Sequence, residues 1–203
     1  VTQIIGKCDS ITITEHYQVG SILYLDQVME AVYGNDHRTE AMTRMQLCID
    51  YVEIIDFLHS WNPNKTYVMC DTYSLEVAVG QFLLTDKLRL VLNDVDYMAV
   101  IDNLRKKKIT CGKREQFDLM APEMLKPSQN KPWTIRNNFY YDEKIEIWKI
   151  PNMCNYFLGK ENSMMMRQLS EIHSRCKNID PRKRPSAREV LHMYKNINFS
   201  KCN

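Results

Sequence analysis

Apolar residues recur at helical spacing most clearly between residues 39 and 60. The apolar positions 45, 48, 49, 52, 55 and 58 have the spacing of one helix face. The polar Asn62-Pro63-Asn64 that follows is typical of a helix end. We therefore predict a long helix over residues 39–60 with its apolar face in the core. Cys48 lies on that face, so it is expected to be a free, buried thiol.

Three further segments of the C-terminal half show helical patterns. Positions 165, 169, 172 and 176 form a second apolar stripe at helical spacing. Ser186 and Glu189 have the spacing of a capping box, which predicts the start of a final helix. Residues 141–151 are expected to form a buried helix that Pro151 stops, because proline lacks the N–H that the helix needs.

Strand patterns are short and lie in the N-terminal half. Residues 1–15 alternate β-branched side chains around Asp9-Ser10, which predicts a β-hairpin. Brief apolar runs at 67–70, 81–84 and 90–92 are interpreted as strands, and the chain after Asp96 as a loop. Together with the helices, these strands predict an α+β fold.

Composition narrows the class of protein. Hydrophobic residues make up 44% of the 203-residue chain, and the formal net charge is only +2, so nothing indicates a nucleic-acid partner. The sequence has no run of about 18 apolar residues and no signal peptide. Seven cysteines without a Cys-x-x-Cys pair argue against a metal site, and the sequons at Asn64 and Asn198 are compatible with the secretory pathway.

Polar residues follow or precede the short strands at three points. Asp71 follows the first run, Gln81 opens the second and Asp94 closely follows the third. A single carboxylate in such a place commonly caps a turn. Three in this order resemble the protein-kinase signature, in which an Asp orients the substrate hydroxyl, an amide supports a metal and a second Asp binds Mg²⁺. By that resemblance Asp71 is the catalytic residue, and Gln81 and Asp94 bind metal and nucleotide.

Other segments fit the same signature. In kinases the strand after the hairpin enters the hinge, so Thr14 would be the gatekeeper, and Glu15 and Tyr17 would contact adenine. Ala121-Pro122-Glu123 matches the end of an activation segment. By the resemblance, Glu123 forms a buried structural ion pair with Arg184 of Asp180-Pro181-Arg182-Lys183-Arg184-Pro185; the alternative for this stretch is a proline-flanked surface loop.

The match is closer to one family of secretory kinases. The chain resembles the large lobe of the protein O-mannose kinases in several segments that occur in the same order. These are Met69-Cys70-Asp71, Gln81-Phe82-Leu83-Leu84-Thr85, Asn93-Asp94-Val95-Asp96, Cys111-Gly112-Lys113-Arg114-Glu115, Ala121-Pro122-Glu123 and the stretch from Tyr141 to Pro151. One departure is Glu146, which stands where the family has Asp, and its longer side chain is expected to loosen the bracing of the catalytic loop.

The resemblance implies a function and a location. Such an enzyme transfers the γ-phosphate of ATP, with Mg²⁺ or Mn²⁺, to the mannose of an O-mannosyl trisaccharide on glycoproteins such as dystroglycan. It is anchored in the endoplasmic reticulum membrane by a segment missing here, with the kinase domain in the lumen. Cys8, Cys70, Cys111 and Cys176 have family counterparts, and some of them are expected to form disulfides.

The resemblance also divides the chain and leaves alternatives open. Residues 1–20 would be the end of the small lobe and the hinge, and residues 21–203 the protein-kinase-like large lobe. The glycine loop and the Lys strand of kinases are not in this sequence, so the small lobe is largely absent and this chain alone is expected to be inactive. The alternatives are a pseudokinase or binding module, and a secretory kinase that acts on protein side chains.

Overall fold

A computed structural model describes residues 2–9, 11–105, 109–111, 118–124, 141–159 and 162–197. The described chain is a mixture of helices and small antiparallel sheets. The helices are α1 (Leu25–Tyr33), α2 (His37–Ser60), α3 (Leu75–Gly80), α4 (Lys144–Leu158), α5 (Ser163–Cys176) and α6 (Ala187–Lys195). The strands are β1 (Ile4–Cys8), β2 (Ile11–Thr14), β3 (Gly20–Ser21), β4 (Lys65–Met69), β5 (Phe82–Leu84), β6 (Leu90–Leu92) and β7 (Met98–Asp102).

The long helix α2 is the centre of the core. It begins two residues before the predicted start, because the Asp36 carboxylate caps it by accepting a hydrogen bond from the N–H of Thr39 at 3.2 Å. Its buried face packs against α4 and α6, and Leu47 and Ile55 are fully buried there. The predicted helix is therefore confirmed, and so is the capping box of Ser186 and Glu189 that opens α6.

The strands form three small antiparallel sheets among the described residues. The hairpin of β1 and β2 is confirmed, β3, β5 and β6 lie side by side, and β4 pairs with β7 along its full length. Two elements differ from the sequence interpretation: α3 occupies the supposed polar detour, and β7 the supposed loop after Asp96. Ser74 caps α3 through the N–H of Val77, a signal that was present in the sequence.

The helix α4 corrects the interpretation of Pro151 as a stop. The helix continues through Pro151 to Leu158. The proline costs one hydrogen bond to the carbonyl of Ile147. The turns beyond it bury Met153 and Phe157 completely in the core, and this burial offsets the lost bond. None of the helices in the described ranges is long and apolar enough to cross a membrane.

Two disulfides link distant parts of the described chain. Cys70 bonds to Cys111, whereas Cys8 is exposed and free and Cys176 is buried and free. The expectation that Cys48 is a free thiol is wrong, because it bonds to Cys154. The face of α2 that carries Cys48 packs against α4, which places the two Cα atoms 4.9 Å apart.

Candidate active site

Gln81 and Asp94 are brought together by the pairing of β5 with β6. Phe82 lies opposite Leu92 in this antiparallel pair, so the residue before β5 and those after β6 meet at one end. The carbonyl of Gln81 accepts hydrogen bonds from the N–H groups of Asn93 at 2.8 Å and Asp94 at 3.4 Å. The two predicted metal ligands are therefore neighbours.

Asp71 reaches the same region through the pairing of β4 with β7. Met69, the last residue of β4, lies opposite Met98, and the N–H of Cys70 donates to the carbonyl of Tyr97 at 3.0 Å. Tyr97 ends the short segment that begins just after β6. Asp71 therefore lies beside the segment that carries Asp94, and the two carboxylates are close enough to interact electrostatically.

The surroundings of Asp71 favour its protonated form. The side chain is half-buried, and this burial is the main reason why the pKa of Asp71 is raised above its usual value. The negative charges of Asp94 and Glu146 raise the pKa further, whereas the ammonium of Lys149 opposes the shift. A carboxylate with a raised pKa is a stronger proton acceptor, which is the property that a general base needs.

The floor beneath Asp71 is built by Glu146 of α4. Its carboxylate is fully buried; one oxygen accepts a hydrogen bond from the N–H of Met69 at 2.9 Å, and the other lies 2.7 Å from Nε2 of His59. Both oxygens are thus engaged, so the expectation that the longer Glu146 side chain loosens the bracing is wrong. Glu146 therefore connects α4 both to the end of β4 and to α2.

Lys149 is a part of this floor that the sequence analysis missed. Its ammonium is buried and donates to Oγ1 of Thr72 at 2.5 Å and to the carbonyl of Met69 at 3.4 Å. Burial lowers the pKa of Lys149 to about 8, although the charges of Glu146 and Asp71 act in the opposite direction. A lysine within the apolar run of α4 was the available signal, since lysine is almost never buried without partners.

Lys149 and Glu146 act on the same backbone residue. Glu146 takes the N–H of Met69 and Lys149 its carbonyl, and Oγ1 of Thr72 also donates to that carbonyl at 3.0 Å. Met69 and Thr72 flank the dipeptide Cys70-Asp71. Hydrogen bonds to Glu146 and Lys149 therefore fix the backbone before Asp71, at Met69, and the bond of Lys149 to Thr72 fixes the chain after it.

The pair of Gln81 and Asp94 offers oxygen ligands for a divalent cation. Nε2 of Gln81 donates to the carbonyl of Val77 at 3.2 Å, but its Oε1 is buried and accepts no hydrogen bond from any residue that the structure describes. The carboxylate of Asp94 is exposed and accepts the N–H of Asp96 at 3.1 Å, so Asp96 closes a turn here. The buried, unpartnered oxygen of Gln81 and the exposed carboxylate of its neighbour Asp94 are oxygen ligands of the kind that Mg²⁺ prefers.

The described residues contain no group of three or more His, Cys, Asp or Glu side chains that would hold a metal alone. The usual Mg²⁺ site of phosphoryl-transfer enzymes has only one or two protein ligands, which phosphate and water complete. Gln81 and Asp94 are therefore candidates for a site of that kind.

The predicted hinge residues lie outside this cluster. Oη of Tyr17 donates to the carboxylate of Glu15 at 2.8 Å, and this bond is the main cause of the raised pKa of Tyr17. The N–H of Glu15 donates to the carbonyl of Gln3 at 3.0 Å. The following strand β3 pairs with β5, so the segment after Tyr17 enters the sheet that positions Gln81.

Glu123 and Arg184 form a bidentate ion pair. The two guanidinium nitrogens lie 2.6 and 2.7 Å from the two carboxylate oxygens. The Arg184 side chain is fully buried and that of Glu123 is 19% exposed. Arg184 also donates to the carbonyls of Asn178 at 2.8 Å and Lys144 at 2.9 Å. The pair therefore fastens the segment of Glu123 to the start of α4, and the alternative of a surface loop for residues 180–185 does not hold for Arg184.

Comparison with known proteins gives one consistent result. No protein-family model matches the chain. The protein O-mannose kinase of Gallus gallus is 37% identical over 203 residues, and that of Homo sapiens is 36% identical over 204. The Xenopus laevis protein of the same name is 34% identical over 203 residues. Each match covers 97% of this chain, which spans 57% of the length of these relatives.

Proposed function

We propose, from the relationship of this chain to the protein O-mannose kinases along nearly all of its length, that it forms the large lobe of an ATP-dependent kinase. The substrate would be the mannose of an O-mannosyl trisaccharide on glycoproteins such as dystroglycan. The observation that carries the proposal is the meeting of Asp71, Gln81 and Asp94 above a buried floor made by Glu146 and Lys149.

The chemistry of phosphoryl transfer requires mainly positioning and charge neutralisation. Asp71 would accept a hydrogen bond from the attacking hydroxyl of the mannose and take up its proton as the mannose oxygen bonds to the γ-phosphorus of ATP. The bond between this phosphorus and the bridging oxygen would break, and ADP would leave with its electron pair. The raised pKa of Asp71 makes it a stronger acceptor for that proton. Glu146 and Lys149 are positioning residues here, because they fix the backbone on either side of Asp71 and do not contact the substrate.

The neighbouring pair of oxygen ligands would hold the metal. Asp94 and Oε1 of Gln81 would bind Mg²⁺ or Mn²⁺, which supplies neutralisation of the phosphate charge when bound with ATP. Gln81 is a weaker ligand than Asp94, because an amide oxygen carries no net charge. The orphaned buried oxygen of Gln81 would gain a partner on binding, which removes the cost of leaving it unpaired.

The N-terminal hairpin supports the division into two lobes. Residues 1–20 would close the small lobe and form the hinge, with the backbone of Glu15 and Tyr17 at the adenine. Ile4, Ile5, Ile11 and Ile13 of the hairpin are between 55% and 68% exposed. Several isoleucines exposed on one hairpin indicate a surface that packs against another part of the protein. The rest of a small lobe in the longer protein would bury them.

The disulfides support a location in the lumen of the endoplasmic reticulum. Disulfides persist in oxidising compartments and are rare in the cytosol. The two pairs, Cys48–Cys154 and Cys70–Cys111, join segments that are 106 and 41 residues apart. The membrane anchor implied by the family would belong to the longer protein.

The experiment that tests the proposal compares acceptors. Full-length protein that contains this chain is incubated with labelled ATP and Mg²⁺, and with O-mannosyl trisaccharide, free mannose or Ser- and Tyr-containing peptides. We expect transfer to the trisaccharide and none to the peptides. Transfer to peptides instead would identify a protein kinase, and absence of transfer to every acceptor would identify a pseudokinase.

A further inference from the structure

A stack of three aromatic rings, of which Phe57 and Trp61 are exposed and Tyr67 is half-buried, lies where α2 ends and β4 begins. Trp61 stacks with Phe57 at a centroid distance of 6.0 Å and with Tyr67 at 5.6 Å. Phe57 is 51% exposed and Trp61 52%, and Val100, the cross-strand neighbour of Tyr67, is 45% exposed. Such a contiguous apolar patch on a surface calls for a cover. It plays no part in the site around Asp71.

The turn that carries this patch also carries a glycosylation sequon. Asn64-Lys65-Thr66 begins three residues after Trp61, and Asn64 is exposed. The side chain of Asn62 accepts the N–H of Asn64 at 2.9 Å, and the N–H of Asn103 donates to the Asn64 carbonyl at 3.0 Å. The backbone of the turn is thus fixed, and the exposed side chain of Asn64 lies in the same turn as Trp61.

We propose that Asn64 carries an N-linked glycan whose first N-acetylglucosamine packs on the aromatic stack of Trp61. Two independent observations support it: the sequon in a surface turn, and an exposed aromatic surface that the C–H face of a sugar ring would cover. The inference rests on the lumenal location proposed above, because the sugar donor is available only there.

The modification is a transfer from a lipid-linked oligosaccharide diphosphate. Nδ2 of Asn64 forms a bond to C1 of the reducing-end N-acetylglucosamine, and the bond between C1 and the diphosphate oxygen breaks. The lipid diphosphate leaves with the electron pair of that bond, and one amide proton is released. Thr66 is buried and donates to the carbonyl of His59 at 3.3 Å and to Oδ1 of Asn103 at 3.2 Å, so the sequon must be used before the chain folds.

Occupancy is tested on the natural full-length protein from animal secretory cells. Digestion with peptide N-glycosidase in ¹⁸O water is followed by peptide mass spectrometry, with Asn64→Gln as the loss variant and Thr66→Ser as the matched control that keeps the sequon. We expect labelled Asp at position 64 in wild type and Thr66→Ser, and loss of one glycan's mobility shift in Asn64→Gln. Unmodified Asn64 with the Cys70–Cys111 disulfide formed would overturn the site alone. Unmodified Asn64 with both cysteines reduced would overturn the location as well.

The contact with Trp61 is tested by trimming the glycan. Endoglycosidase H leaves one N-acetylglucosamine on a high-mannose chain, whereas peptide N-glycosidase removes it. We expect complete removal, but not trimming, to lower the melting temperature of the wild type by roughly 2–4 °C. In Trp61→Ala the two treatments should give the same melting temperature. If the two treatments give equal melting temperatures in the wild type, or if complete removal lowers the melting temperature of Trp61→Ala by the same amount as in the wild type, the glycan does not contact Trp61. The aromatic patch would then be a surface for a protein partner.

Discussion

Replacing Glu146 should show how much the buried charges of Glu146 and Lys149 contribute to the stability of the fold. In Glu146→Gln the carboxylate loses its charge while its shape is kept, and the buried ammonium of Lys149 loses the compensating negative charge of Glu146. Removing one member of a buried charged set costs about 3–5 kcal/mol. Since 1 kcal/mol shifts the melting temperature of a domain of this size by roughly 2–4 °C, we expect a fall of roughly 6–20 °C.

The shorter residue of ordinary kinases gives an intermediate case. With the backbone unchanged, Glu146→Asp cannot keep its bonds to both the Met69 N–H and His59, so one partner is left unsatisfied at a cost of about 1–3 kcal/mol. Glu171→Gln, which removes an exposed carboxylate from α5, is the matched control and should change stability by less than about 0.5 kcal/mol.

The assay is thermal and urea unfolding of the full-length protein and its variants. A double variant, Glu146→Gln with Lys149→Met, should be less destabilised than the sum of the two single variants, because no uncompensated charge remains. If Glu146→Gln melts within about 1 °C of the wild type, or if the two substitutions are additive, the reasoning that Glu146 offsets the buried charge of Lys149 is refuted.

Three further predictions follow from the described contacts. Mass spectrometry of unreduced protein from secretory cells should recover Cys70 linked to Cys111, and breaking this 41-residue loop should cost about 4 kcal/mol; finding both thiols alkylated would exclude the bond. Glu123→Ala should lower stability by about 3–5 kcal/mol because it leaves the buried guanidinium of Arg184 without a compensating negative charge, and an unchanged urea midpoint would show that the pair is dispensable. The pKa of Lys149 is about 8 in the folded protein and 10.5 in its ordinary environment, so between these two pH values the unfolded state binds more protons. The free energy of unfolding should therefore rise from pH 8 to pH 10.5, and Lys149→Met should remove this rise. Identical pH profiles of stability for the wild type and Lys149→Met would contradict this.

Local signals explain which parts of the fold the sequence predicted. The stripe of α2 and the capping box of Ser186 and Glu189 depend on residues close together in the chain, and both were found. The strand β7 was missed because its pairing with β4 joins segments about 30 residues apart, and no local pattern encodes that register. The helix end predicted at Pro151 is wrong because burial against other elements stabilises the part of α4 beyond the proline, and the local sequence does not show this burial.

In the site, too, local sequence patterns are visible in advance and contacts between distant residues are not. Asp71, Gln81 and Asp94 could be singled out because each lies at a strand end, a position that is visible in the sequence. The role of Lys149 depends on the distant Thr72 and Met69, so only its unusual place in an apolar run hinted at it. Cys48 likewise gave no sign of its bond, because its partner is 106 residues away.

Substitution of Asp71 tests the central claim most directly. In the full-length protein, Asp71→Asn keeps the shape and most of the hydrogen bonding of the side chain but removes the proton acceptor. Turnover on O-mannosyl trisaccharide and Mg²⁺-dependent ATP affinity would be measured for Asp71→Asn and Asp94→Asn. Asp86→Asn, in the exposed turn between β5 and β6, serves as the control.

We expect Asp71→Asn to reduce turnover at least about 10²-fold while its melting temperature and ATP affinity stay close to those of the wild type. Asp94→Asn should also weaken the Mg²⁺-dependent binding of ATP, and Asp86→Asn should behave as the wild type. If Asp71→Asn phosphorylates the trisaccharide at a rate near that of the wild type, Asp71 is not the catalytic base and the proposed site is wrong.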